Sequence, residues 1–121
     1  MSVRISVLTN TFRPGGFDVV TEALKAQVEA PPFEWIVVDE LHRWRAGIVG
    51  HRLDALPFPT QHLQTERSLF PIASTMRAGN TGIKAAKGEL IVHLSDHAMP
   101  EPDFLAKCWA AYEANPKSII V

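Results

Sequence analysis

Three polar residues directly follow an apolar run in the second half of the chain. Residues 90–94 are mainly apolar, and the run stops at Ser95, Asp96 and His97. This pattern is typical of a buried strand that delivers polar side chains to the carboxyl edge of a parallel sheet, where open α/β sheets bind ligands. A carboxylate at that edge, beside a hydroxyl and an imidazole, has the chemistry to meet a divalent cation or a phosphate group, since hard cations prefer oxygen ligands.

A second pair of acids follows another apolar run. Residues 35–38 read Trp-Ile-Val-Val, and Asp39 and Glu40 come next. Crossover connections bring such strand ends to one edge of the sheet, where an acid can accept hydrogen bonds from a ribose or a base. The alternative is that Asp39 and Asp96 only cap the helices that follow them. Two acids at equivalent strand ends favour the ligand-binding interpretation.

Other nucleotide and metal motifs do not fit the sequence. Gly15-Gly16 precedes a helical pattern without forming G-x-G-x-x-G, and residues 78–82 lack the spacing of a phosphate-binding loop. The five histidines have no zinc-site spacing. A nucleotidyltransferase or a flavodoxin-like domain is therefore disfavoured.

The elements that must position these residues alternate along the chain. The apolar runs predict strands at residues 4–9, 35–38, 60–65, 89–94 and 118–121, and helical spacing predicts helices at 17–29, 46–53, 75–87 and 103–114. Continuous apolar strands separated by helices indicate an α/β fold, a doubly wound and mainly parallel sheet with helices on both faces.

Two helices carry more specific expectations. In the first, Val20, Leu24 and Val28 are spaced to face the core. In the third, Asn80 is expected to cap the start, and Ile83 and Ala86 are expected to face inward.

Length, charge and cysteine content restrict the class of protein. The chain has 121 residues, which suits a single domain, and its net charge of −1 gives no reason to expect a nucleic-acid partner. The single cysteine, Cys108, forms no internal disulfide, so a reducing, cytoplasmic location is expected. No run approaches the roughly 20 apolar residues of a transmembrane segment. Because the sequence stops within a strand-like run, we expect residues 1–121 to be a domain truncated at its C-terminal end.

Four motifs in order resemble one family of enzymes. They are ISVLTNTF at residues 5–12, FEWIVVD at 33–39, GNTGIKAAKGELIVHLSD at 79–96 and PEPDFL at 100–105. This series resembles the nucleotide-sugar-binding, amino-terminal part of a family 2 glycosyltransferase with the GT-A fold. Glycosyltransferases of this family carry a P-T-Y-N-like turn, V-D-D, an R-N-x-G-like helix start and D-x-D.

The resemblance implies a role for each matching residue. The nucleotide pocket would be lined by Thr9, Thr11, Asp39 and Asn80, with Asp39 accepting from the base, typically uracil. Residues Ser95, Asp96 and His97 occupy the D-x-D position that meets the metal and the sugar diphosphate. Only the central acid remains here, so a Mn²⁺ or Mg²⁺ cofactor would depend chiefly on Asp96.

The function that follows is an expectation with two forms. The first is an inverting glycosyltransferase domain that binds a nucleotide sugar, most simply of UDP type, for transfer to a saccharide or another hydroxyl compound. The second is a non-catalytic binding or assembly module that retains the GT-A fold. The catalytic base and acceptor half of the family lie beyond residue 121, and an exposed sheet edge left by truncation would favour a homo-oligomer.

Overall fold

A computed structural model describes residues 2–11, 17–64 and 74–116, with the backbone alone at residues 17 and 74–79. In chain order the elements are β1 (Ile5–Thr11), α1 (Phe17–Lys25), β2 (Phe33–Asp39), α2 (His42–Asp54), β3 (Thr60–Gln64), α3 (Ser74–Ala85), β4 (Leu90–His93) and α4 (Phe104–Ala114). The strands form one sheet in the order β3-β2-β1-β4, and every pairing is parallel. The predicted α/β fold class is therefore confirmed.

Helices cover both faces of the sheet. On one face, alternate residues of β1 and β2 pack with apolar residues of α1, α2 and α4 into the larger core, whose most deeply buried members include Val7, Leu24, Trp35, Val37 and Leu105. On the other face, Leu8, Ile36 and Val38 form a smaller core against the end of α3. Because side chains of a strand alternate between faces, Thr9 and Thr11 share the face of the larger core with Asp39.

The amino edge of the sheet is held by a buried acid. Glu34, on β2, accepts hydrogen bonds from the Ser6 hydroxyl at 2.6 Å and from the Lys87 N–H at 2.7 Å. The Gly88 N–H donates in turn to the Ser6 hydroxyl oxygen at 2.8 Å. A Cβ at position 88 would lie 2.7 Å from backbone atoms of Ile5 and Ser6, so only glycine permits this approach. The turn before β4 is thereby fixed against β1.

The first helix is shorter than its sequence pattern predicts. It ends at Lys25 instead of residue 29, and Val28 is 52% exposed, so the expectation that Val28 faces the core is wrong. The cause lies in tertiary hydrogen bonds: the Val28 N–H donates to the Pro102 carbonyl, and the Gln27 side chain bonds the carbonyl of Glu101. These bonds draw the chain away from the helical path.

The third helix differs from its prediction in the position of Asn80 and in the residues that face the sheet. Asn80 lies in the middle of α3 and is exposed, so the prediction that it caps the helix is wrong. Ile83 is 53% exposed, whereas a Cβ at Gly82 would lie 3.3 Å from the side chains of Leu8 and Val38. The small residue allows α3 to approach the sheet closely, and Ile83, one residue later, is rotated by about 100° away from it. Ala86 is partly buried against the smaller core, as predicted.

Other boundaries move by a few residues. The second helix begins at His42, four residues before its predicted start. The strands β1 and β2 end at Thr11 and Asp39, later than predicted. The strand predicted at 118–121 and the turn at Pro14-Gly15-Gly16 fall outside the described residues. None of the described helices is long and apolar enough to cross a membrane.

Candidate functional site

Polar side chains from three strands meet at the carboxyl edge of the sheet. Thr11 ends β1, Asp39 ends β2 as its register partner, and Asp96 follows β4 by three residues. The structure thus brings together three of the residues that the sequence predicts for the site. All three are buried, and each makes hydrogen bonds within the edge.

Thr11 and Asp96 are joined directly. The Thr11 hydroxyl donates to Asp96 Oδ2 at 3.0 Å. Asp96 Oδ1 lies 3.1 Å from Nδ1 of His97, whose imidazole is 69% exposed. The carboxylate therefore has one oxygen held by the first strand and the other beside a solvent-accessible ring.

Thr9 has a supporting position beneath the edge. Its hydroxyl oxygen accepts a 2.9 Å hydrogen bond from the indole N–H of the fully buried Trp35. The bond satisfies a donor that would otherwise be costly to bury. Thr9 therefore lies in the predicted region, with its side chain bonded to the core.

Asp39 is the most heavily bonded group of the site. Its Oδ1 accepts from the Leu41 N–H and from Arg45 Nη2, both at 2.8 Å. Its Oδ2 accepts from Arg45 Nε at 2.7 Å and from His62 Nε2 at 2.8 Å. Because a carboxylate only accepts, the bonded nitrogen of His62 carries the hydrogen. A carboxylate has about four acceptor positions, and all of them are used here.

These partners control the charge of Asp39. Burial alone would raise the pKa of this carboxyl, but the hydrogen bonds from His62, Arg45 and Leu41 outweigh burial and hold the pKa well below its usual range. The bidentate contact with the guanidinium is the strong fork-to-fork type. Asp39 is consequently ionised at neutral pH, and its direct contact with a base would require one of these partners to leave.

Arg45 and His62 are residues that sequence reasoning missed. Arg45 precedes the buried Val49 by four positions on α2. His62, on β3, is the register partner of Val37 and lies on the same face of the sheet as Asp39. Both side chains are largely buried, and Arg45 Nη2 also approaches the Thr11 hydroxyl oxygen at 3.5 Å. The sequence predicted a strand at residues 60–65, which includes His62. Only the fold shows that His62 pairs with Val37 and so lies on the face of Asp39.

The other predicted residues differ in how they relate to this cluster: His97 contacts Asp96, Ser95 contacts His97, and Asn80 lies apart. The Ser95 hydroxyl is 2.8 Å from Nδ1 of His97, so these two residues bond each other at the solvent-exposed side of Asp96. Asn80 is on α3, which packs on the opposite face of the sheet. None of the contacts that the structure describes brings Asn80 to the cluster.

A groove of about 510 Å³ lies between α1 and residues 99–100. Its lining is mainly apolar and includes the carboxylates of Asp18 and Glu22. No arginine, lysine or histidine accompanies these two carboxylates among the described lining residues, whereas Arg45 lies beside Asp39 and His97 beside Asp96 at the carboxyl edge. The carboxyl edge therefore remains the candidate site for a diphosphate.

The donor set at Asp96 suits a cation only in part. Within the described ranges, no group of three or more histidine, cysteine, aspartate or glutamate side chains is arranged to hold a metal ion. Mg²⁺ in phosphate sites, however, commonly uses one or two carboxylates and takes its remaining ligands from phosphates and water. Asp96 fits that type of site, in which most of the coordination comes from the substrate.

The fold and this edge define an architecture: a parallel α/β domain with its polar site at the carboxyl ends of the strands. Solved structures of TarS from S. aureus share this fold. The structure of TarS residues 1–349 superposes with a TM-score of 0.71 at 18% identity, covering 94% of this chain and 33% of that one. Its complex with UDP gives 0.72 at 16% identity, and its complex with UDP-GlcNAc gives 0.69 at 21% identity, again with 94% of this chain covered.

The similarity to TarS covers only part of the TarS structures. The chain spans about a third of the length of the TarS structures that it matches. Neither a family model nor a curated protein matches the chain significantly. The similarity therefore confirms the expected GT-A-type fold, and function must be argued from the site itself.

Proposed function

We propose that this chain binds a nucleoside diphosphate sugar of UDP type, as the donor-binding part of an inverting, family 2 glycosyltransferase. The observation that carries the proposal is the convergence of Thr11, Asp39 and Asp96 at one carboxyl edge, with a 3.0 Å hydrogen bond between the first and the last. That edge is the ligand-binding edge of open parallel sheets. TarS, which shares the fold, has been solved with UDP and with UDP-GlcNAc.

Each part of the ligand has a proposed location. The nucleoside lies along the end of β1 and β2, near Thr9, Thr11 and Asp39. The diphosphate lies toward Asp96, with Ser95 and His97 at its solvent side, where their hydroxyl and imidazole groups are accessible donors. We leave Asn80, which lies on the helix of the opposite face, out of the proposed site.

A divalent cation, Mn²⁺ or Mg²⁺, is part of the proposal. Asp96 would hold it, with Ser95 or His97 as a second protein ligand, and when bound it would neutralise charge on the departing diphosphate. The acceptor, a saccharide or another hydroxyl compound, must lose a proton to a general base in such a reaction. We assign none of the described residues to that base.

Calorimetric titration tests the donor site. UDP, UDP-GlcNAc and GDP would be titrated into the folded chain with and without Mn²⁺. We expect saturable binding of UDP and its sugar, strengthened by Mn²⁺, and weaker binding to Asp96→Asn. A folded sample that binds none of these nucleotides would exclude the proposal.

A non-catalytic binding or assembly module is the second candidate. The observation that favours it is the contact between Ser95 and His97, which occupy the outer positions of the motif and bond each other at 2.8 Å. Asp96→Ala in the full-length protein separates the two candidates, because a transferase would lose donor turnover while a binding module would still bind its partner.

Location and assembly are further parts of the proposal. We place the chain in the cytoplasm because its only cysteine, Cys108, is a free thiol, which suits a reducing compartment. A homo-oligomer would form through β4, which pairs only with β1 in the described sheet and exposes 40% of Ile91. Light scattering over a concentration series tests the assembly.

A further inference from the structure

Asp39 is saturated by protein donors. Its side chain is 0% exposed, and its four acceptor positions are taken by the Leu41 N–H, by two N–H groups of Arg45 and by His62. A base can therefore reach this carboxylate only by breaking a hydrogen bond that is already made. Hydrogen bonds to charged groups are among the stronger ones, so the exchange offers little gain.

The occupied carboxylate has a consequence for base selection. Uracil presents an imide N–H at its third ring position, where cytosine presents an unprotonated nitrogen. A free carboxylate at the end of β2 would accept from uracil and repel cytosine. A carboxylate whose acceptor positions are all occupied cannot distinguish uracil from cytosine in this way.

We infer that Arg45 sets the base selectivity of this site by occupying Asp39, so that UDP and CDP bind with similar affinity. The inference rests on the proposed nucleotide site and extends the proposed nucleotides from UDP to CDP. Arg45 acts here as a specificity-determining residue, while Asp39 holds the guanidinium in position.

The location of Arg45 strengthens this role. The guanidinium that donates to Asp39 also has its Nη2 3.5 Å from the Thr11 hydroxyl oxygen. The Thr11 hydroxyl in turn donates to Asp96. The side chain is only 12% exposed. It is therefore fixed between the end of β2 and the end of β1, beside the proposed location of the nucleoside.

The test compares UDP and CDP by calorimetric titration. For the unmodified chain we expect dissociation constants within about threefold of each other. Arg45→Met removes the donors and keeps most of the stem, which frees acceptor positions on Asp39, so UDP should gain about tenfold over CDP. Arg43→Met is the matched control, because Arg43 is exposed and stacks on Trp44 at 5.2 Å, and it should leave the ratio unchanged.

The outcomes separate the inference from the proposal on which it rests. If the unmodified chain prefers UDP by tenfold or more, or if folded Arg45→Met keeps the unmodified ratio, the inference fails while the nucleotide site stands. If neither nucleotide binds, both fail. The side-chain Nε–H resonance of Arg45 gives a readout that needs no variant: it should persist at saturating UDP, and its loss would show that the base displaces the guanidinium.

Discussion

Thr11 and Asp96, which are 85 residues apart in the chain, are joined by a buried hydrogen bond of 3.0 Å. The bond fixes the acid that follows β4 against the end of β1. Asp96, the residue proposed to lie nearest the diphosphate, is thus positioned by a hydroxyl group of another strand. The geometry of the site therefore depends on the packing of the sheet as well as on local sequence.

Thr11→Val should weaken both the fold and nucleotide binding. The change keeps the shape but leaves a buried oxygen of Asp96 without this donor, which costs about 1–3 kcal/mol of the free energy of unfolding. Urea denaturation and UDP titration measure the two effects. Thr11→Ser keeps the hydroxyl and serves as the control; equal behaviour of the two variants would show that the hydrogen bond is unimportant.

The depressed pKa of Asp39 predicts a loss of stability in acid. Its pKa is lower in the folded chain than in the unfolded one, so its contribution is complete at neutral pH and is lost as the pH falls below about 5 toward the folded-state pKa. Asp39→Asn should remove this part of the pH dependence, measured by urea denaturation between pH 7 and about pH 3. Asp18→Asn, at an exposed acid, should retain it. An unchanged acid slope in Asp39→Asn would contradict the assignment.

Gly88→Ala should destabilise the amino edge of the sheet. The added methyl group would lie 2.7 Å from backbone atoms of Ile5 and Ser6, which have little room to move, at a cost of about 1–3 kcal/mol. Gly50→Ala is the matched control, because nothing lies within 4 Å of its Cβ position on α2, and a helical alanine should stabilise by about 0.5–1 kcal/mol. Thermal unfolding should move in opposite directions for the two variants.

Glu34→Gln should also destabilise the chain. Oε2 of Glu34 accepts from Ser6 and Lys87, and Oε1 accepts from Gln61 at 3.1 Å, so an amide NH₂ must face a donor at one of these places. Rotating the Gln61 amide to compensate would break its bond to the Ala85 carbonyl.

We expect a cost of about 1–3 kcal/mol in the free energy of unfolding for Glu34→Gln. The exposed Glu89, 3.6 Å from Arg4, provides a control, since surface pairs contribute about 0–1 kcal/mol. Similar losses for Glu34→Gln and Glu89→Gln would contradict the account.

The sequence was informative where burial dominates. The apolar runs that end at Asp39 and before Ser95 predicted two strands and the edge that they share, because a parallel sheet covered on both faces requires such runs. Thr11 was placed at this edge with Asp96 by the family resemblance, because the apolar run of the first strand was predicted to end at residue 9. Their hydrogen bond required the fold.

The sequence was less informative where tertiary contacts decide. Arg45 and His62 lie on elements with mixed polarity, and only the β2–α2–β3 packing brings them to Asp39. Asn80, among glycines, resembled a helix start, yet α3 continues through it. Val28 has helical spacing, but hydrogen bonds with residues 101 and 102 end the helix earlier.

The most direct test of the central claim is a ¹⁵N–¹H correlation spectrum of the folded chain during titration with UDP and Mn²⁺. The proposed site predicts that the amide shifts concentrate at the carboxyl edge, in residues 9–11, 39–45 and 94–98. Residues at the amino edge, such as Ile5, Phe33 and Gly88, should remain unchanged. A spectrum that does not respond to saturating UDP, or one that responds only at the amino edge, would contradict the claim.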